Sequence, residues 1–232
     1  MNIADAAPHS RPLLSRPGWP ELVVGLVVAL LLYLVGGIVG YLVPEDAPLS
    51  AGHVAFIESA VAPAGGFFAA VLIRIRRLGP FGFHRVRPVW VLAGVGAGVA
   101  CFFLSWPVSW LLDPLFPGSE AVQQTYRDAA QLSLLSLAVT VFLGGILSPI
   151  GEELLFRGLL ANFLFRWGPW AGILVSAVIF AVAHGVNAVM PVAFVVGIAT
   201  GVLLRLSGSI WPAIAVHVVY NSAGLIYQGI TG

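Results

Sequence analysis

Apolar residues in this chain come in long blocks, without the period of a single helix face or of an alternating strand. Blocks at 22–43, 52–73, 89–112, 170–185, 191–205 and 210–228 are separated by short polar or charged connections, and one more lies between 132 and 166. A helix rises about 1.5 Å per residue, so about 20 apolar residues cross a hydrocarbon core of roughly 30 Å. The pattern predicts an all-α, polytopic transmembrane helical bundle of seven spans. An eighth arises if 132–166, longer than one crossing needs, splits in two. Pro149 lacks a backbone donor and frees the carbonyl of Gly145, so a break is expected near 149–151.

Composition narrows the class. Of 232 residues, 59% are hydrophobic and 9% charged, against roughly 25% charged in a soluble domain. Mean hydropathy is +0.98. A net charge of +1 gives no case for nucleic-acid binding. The single cysteine, Cys101, excludes an internal disulfide and a multi-cysteine metal cluster. The first apolar block is too long for a signal-peptide core and lacks an A-x-A exit, so it reads as an uncleaved span.

Charge placement sets the orientation. Arg74, Arg76, Arg77, Arg85 and Arg87 share one short connection, and arginine-rich connections stay cytoplasmic. The N-terminus is then cytoplasmic too, the acidic turn at 44–48 lies outside, and Arg166 and Arg205 fall inside. The chain divides into a cytoplasmic tail, 1–20, and one transmembrane domain, 21–232, integral to the cell membrane. Gly94, Gly96 and Gly98 predict close helix packing, and Pro63 with Gly65–Gly66 predicts a kink or a close approach. Glu58 reads as an interfacial acid that pairs or snorkels.

The stretch GEELLFRG, 151–158, is the exception to the apolar rule. Charged side chains in a bilayer core cost a few kcal/mol or more, and persist where they pair, reach water or do chemistry. Glu153 and Arg157 are four apart and can neutralise each other on a helix. Glu152 points about 100° away and is expected to lack a local partner. Counting helical rise from the inner edge puts Glu152 and His184 each about 21 Å deep, His217 about 12 Å and Asn221 about 18 Å. These groups share one layer, which assigns candidate chemistry to about 132–228.

Singly, each has an ordinary explanation: a membrane His or Asn bonds across to a neighbouring helix, and a Glu–Arg pair pins a fold. Together they suit hydrolysis. A carboxylate beside a histidine deprotonates water, while a second histidine and an Asn stabilise an oxyanion. No serine nucleophile elbow is present. A metal is the variant: Glu152, His184 and His217 with an open position suit a catalytic zinc. Against it stand the lack of H-E-x-x-H and the poor ligand quality of an Asn amide. A scaffold or self-immunity factor with a structural polar layer is the non-enzymatic alternative. A proton-relay transporter would want an internal repeat, and the spans show no convincing one.

Three motifs stand in order: E-E-x-x-x-R at Glu152, Glu153 and Arg157, F-x-x-x-H at Phe180 and His184, and H-x-x-x-N at His217 and Asn221. The set resembles the CPBP family of CAAX-prenyl proteases and bacteriocin-processing or self-immunity (Abi) proteins. The resemblance implies an intramembrane endopeptidase opening to the cytoplasm, with membrane lipid and a membrane-associated peptide or protein substrate as partners. By that analogy Glu152 is the general base, Glu153 helps to hold Arg157, His184 orients the water, and His217 with Asn221 binds the oxyanion. The family is labelled metalloprotease, which implies Zn2+ at Glu152, His184 and His217. A metal-free glutamate mechanism is also argued for it.

Overall fold

The computed structural model describes residues 16–44, 47 and 49–231. The expected tail, 1–20, lies mostly outside the described residues, as do positions 45, 46 and 48 of the expected outer turn. The main elements are all helical: α1 (Trp19–Tyr41), α2 (Ala51–Ile75), α3 (Pro88–Leu115), α4 (Glu120–Gln131), α5 (Leu134–Trp167), α6 (Ala171–Ala183), α7 (Val189–Ser207) and α8 (Ile210–Thr231). Many large apolar side chains of α1 and α3 face outward, among them Leu30, Leu34, Ile38 and Leu92. That is the surface of an integral membrane protein, whose exterior is solvated by lipid tails.

Six helices among the described residues are long and apolar enough to cross a membrane: α1, α2, α3, α5, α7 and α8. The expected seven or eight is not reached by length and composition. The block at 170–185 is instead the shorter α6. It stops because Gly185 takes a positive φ of 84° and Asn187 Nδ2 caps the His184 carbonyl at 2.7 Å. The expected split at Pro149 is also absent, since α5 runs on as one helix. It absorbs the lost donor in π-helical turns, Val141–Leu147 before Pro149 and Leu154–Ala161 after Glu153. The carbonyls released there are taken up by α8: Ser222 Oγ donates to Gly145 O and Asn221 Nδ2 to Gly144 O, both at 3.1 Å. Satisfying freed backbone groups from a neighbouring helix is how membrane helices tolerate proline.

Close approach fixes the bundle. A Cβ on Gly94 or Gly98 of α3 would stand 2.5 or 2.6 Å from the Pro212 or Val216 carbonyl of α8. Gly96 faces open space instead. At Gly151 of α5 a Cβ would collide with the Ala60 carbonyl of α2, which brings α2 alongside the acidic motif. Beneath it lies a core of Phe67, Phe81, Leu159, Phe163 and Phe180.

The two ends of the bundle differ in charge. Arg74 at the end of α2 clamps Glu21 at the start of α1 through two bonds of 2.7 and 2.8 Å. Arg16, Arg76, Arg77, Arg85, Arg87, Arg166 and Arg205 gather at the same end, where α1 and α3 begin and α2, α5 and α7 finish. The opposite end carries Asp113 and Asp128, with Arg127 as its one arginine among the described residues.

Candidate active site

Three helices converge on the site. The middle of α5 supplies Glu152, Glu153 and Arg157, the residue after α6 is His184, and α8 supplies His217 and Asn221. His184 Nε2 lies 3.7 Å and His217 Nε2 3.8 Å from Glu152 Oε2. These separations exceed a direct hydrogen bond and suit a water that donates to both the carboxylate and a ring.

The far side of each ring fixes its tautomer. His184 Nδ1 sits 2.8 Å from the Phe180 carbonyl. A carbonyl only accepts, so Nδ1 carries the hydrogen and a neutral ring presents a lone pair at Nε2. His217 Nδ1 sits 2.9 Å from Glu153 Oε1, and an ionised Glu153 imposes the same choice. Two Nε2 lone pairs therefore converge on Glu152 Oε2, which is buried and has no hydrogen-bond partner among the described residues.

Glu153 does more than the sequence suggested. Its Oε1 accepts from His217 and also lies 3.2 Å from Arg157 Nη1, with both side chains of this ion pair fully buried. Arg157 Nη2 donates to the Gly197 carbonyl at 3.0 Å, and the guanidinium lies 4.5 Å from the Phe180 ring centroid. Phe180 in turn packs edge-on against His184 at 4.6 Å and His217 at 5.4 Å. One buried cation thus braces, through Glu153 and Phe180, the rings of both histidines.

One expectation changes and another gains a bond. Glu152 does have a local partner, because Ser148 Oγ, one turn earlier, donates to its Oε1 at 2.8 Å. Ser148 Oγ is also 2.7 Å from Ser59 Oγ of α2, which lies 3.1 Å from the Phe56 carbonyl. The sequence signal for this pair was only a serine four residues before a buried acid. Asn221, expected to face an oxyanion, spends one amide hydrogen on Gly144, while its other remains available beside the cavity it lines.

That cavity holds about 390 Å³, is partly open, and is lined by Glu152, His184, His217 and Asn221 together with Tyr33 and Glu58. No arginine lines it. Glu58 is thus a neighbour of the site, its side chain lying over Gly36 of α1.

The donor types of Glu152, His184 and His217 suit zinc, but their spacing does not close around one. Ligands sharing a tetrahedral zinc at about 2.0–2.1 Å stand roughly 3.3 Å apart, closer than the separations of 3.7 and 3.8 Å found here. Among the described residues no group of three or more His, Cys, Asp or Glu side chains is spaced to hold a metal ion.

Comparison with known proteins bears on this arrangement. Residues 134–223 match the family described as Rce1-like, type II CAAX prenyl endopeptidase. An "Uncharacterized 24.3 kDa protein" of Escherichia coli is 29% identical over 118 residues, covering 48% of this chain and 52% of that protein. The chain thus spans about half the length of this curated relative. No solved structure matches. The matched segment contains Glu152, Glu153, Arg157, His184, His217 and Asn221, and over it this chain is similar to the Rce1-like CAAX endopeptidase family, in keeping with its three CPBP motifs.

Proposed function

We propose that this chain is an intramembrane endopeptidase that hydrolyses a peptide bond of a membrane-associated substrate with water activated by Glu152. It is integral to the cell membrane, with its N-terminus in the cytoplasm. The observation that carries the reading is the meeting of Glu152 Oε2 with two Nε2 lone pairs from other helices, at 3.7 and 3.8 Å. A scaffold needs no such convergence of buried acceptors, which is unfavourable unless a donor serves it.

In the proposed step a water donates one hydrogen to Glu152 Oε2 and is oriented by His184 Nε2. Its oxygen bonds to the scissile carbonyl carbon as Glu152 takes the proton, and the carbonyl electron pair moves to oxygen. The free amide hydrogen of Asn221 donates to that oxyanion, while His217 Nε2 stays an acceptor, its hydrogen held on Nδ1 by Glu153. Glu152 then passes its proton to the leaving nitrogen as the C–N bond breaks. No step runs through a metal, given the ligand spacing.

The test uses the purified full chain and a quenched peptide library in lipid vesicles. Glu152→Gln and His184→Ala should each lower cleavage by about 10²–10⁴-fold, the range for a general base, while insertion and thermal unfolding stay unchanged. A chelator should leave wild-type cleavage intact. Full activity of Glu152→Gln would return the site to a structural role, and loss on chelation would restore the metal variant.

A further inference from the structure

The active-site cavity lies toward one end of the bundle. On α8 its lining starts at His217 and continues through Asn221 and Gly224 to Gln228, the direction away from Ile210. On α2 it takes the first part, Ala55 to Ser59, and on α7 it starts at Val189. Tyr126 of α4 also lines it. All of these point to the end that bears Asp113 and Asp128. None of the eight arginines at the opposite end, Arg74 and Arg205 among them, lines the cavity.

A second cavity of about 1020 Å³ continues outward at that same acidic end. It shares Val189, Tyr220, Gly224 and Gln228 with the first and is walled by Trp106 and Trp110. The site therefore has a vestibule, which lies at the end opposite the eight arginines and has Arg127 in its own wall.

Arginine bias in short connections decides which end stays in the cytoplasm. Here eight arginines oppose one among the described residues. The family resemblance implied a cytoplasmic opening. That implication and the arginine bias cannot both hold in this structure, because the opening and the arginines are at opposite ends.

We infer that the catalytic cavity opens to the non-cytoplasmic side of the membrane, and that its substrate is a peptide segment displayed there, from an exported or membrane-anchored protein. The substrate half of this inference rests on the endopeptidase reading, while the orientation half does not.

The orientation is tested on the full chain in intact cells, in a Cys101→Ser background, with a membrane-impermeant maleimide. Leu115→Cys, at the vestibule end, should label in intact cells, and Leu78→Cys, in the arginine connection, only after lysis. Leu132→Cys and Leu206→Cys repeat the comparison should either variant fail to insert. Labelling of Leu78→Cys or Leu206→Cys in intact cells overturns the inference.

The substrate is tested with a single-span reporter that carries the same test segment on either side of the membrane. Glu152-dependent cleavage only on the outer side supports the inference, and cleavage on the inner side overturns it while sparing the protease. Cleavage on neither side, with labelling as expected, removes the endopeptidase reading and the substrate claim, leaving the orientation standing.

Discussion

Ser148 and Ser59 give the buried acid a partner in either charge state. With Glu152 ionised, Ser59 donates to Ser148 and Ser148 to Oε1. With the proton on Oε2, the oxygen that faces the histidines, Ser148 still donates to Oε1 and the chain is unchanged. Each link lies between 2.7 and 3.1 Å, so no heavy atom has to move when Glu152 accepts and releases a proton. Hydrogen bonds to charged groups contribute about 1.5–3 kcal/mol. Ser148→Ala should therefore lower kcat by roughly 10- to 100-fold with KM little changed. Ser59→Ala, one link further out, should cost less. Steady-state peptide cleavage by the two variants checks the order, and equal effects would argue against a relay. Helical rise alone made the shared depth of Glu152, His184, His217 and Asn221 legible in the sequence, because depth along a span is set by residue count. The relay was not legible, since Ser59 is 89 positions from Ser148 and meets it only through helix packing. Nor was the bond from Asn221 to Gly144, which depends on π turns that no local pattern announced.

Helix α5 shows what a proline does when a neighbour can compensate. Pro149 suggested a break, and the break did not occur because Asn221 and Ser222 of α8 reach the released carbonyls. The apolar block at 170–185 yields only the shorter α6. Its stop signal was nevertheless present in Gly185, since a glycine just past the last turn commonly ends a helix in the left-handed conformation. Gly94 and Gly98 were rightly read as packing positions, but the face of α3 that meets α8 could not be chosen from spacing alone. Gly96 lies on the other face. The contrast between glycines is testable. Gly151→Ala drives a methyl into the Ala60 backbone, beside Ser59, and neither helix can yield locally. Overpacking of this kind costs about 1–3 kcal/mol or more, so the thermal midpoint and activity should both fall. Gly96→Ala meets nothing within 4 Å and should hold or raise the midpoint, because alanine favours a helix over glycine by up to about 1 kcal/mol. Thermal unfolding in detergent separates the two.

Taken together, the spans make a vessel with one closed end and one open end. The closed end is sealed by the Glu21–Arg74 clamp and by aromatic contacts of Trp19 with Phe163 and Trp167. The open end has the vestibule, which communicates with the catalytic cavity past Val189, Tyr220, Gly224 and Gln228. Any peptide that enters from that end must pass this throat to reach Glu152. Gly224 is the position from which to test the route, because a side chain there would start in open space, with no atom within 4 Å of its Cβ. Gly224→Phe should therefore leave insertion and the thermal midpoint intact while its ring fills the passage. Cleavage of a membrane-anchored reporter should be lost, and cleavage of a short soluble peptide reduced less, because a longer chain needs a wider passage. Unchanged cleavage of the anchored reporter would mean that the substrate reaches Glu152 sideways between helices, through lipid, and that the vestibule is not its path.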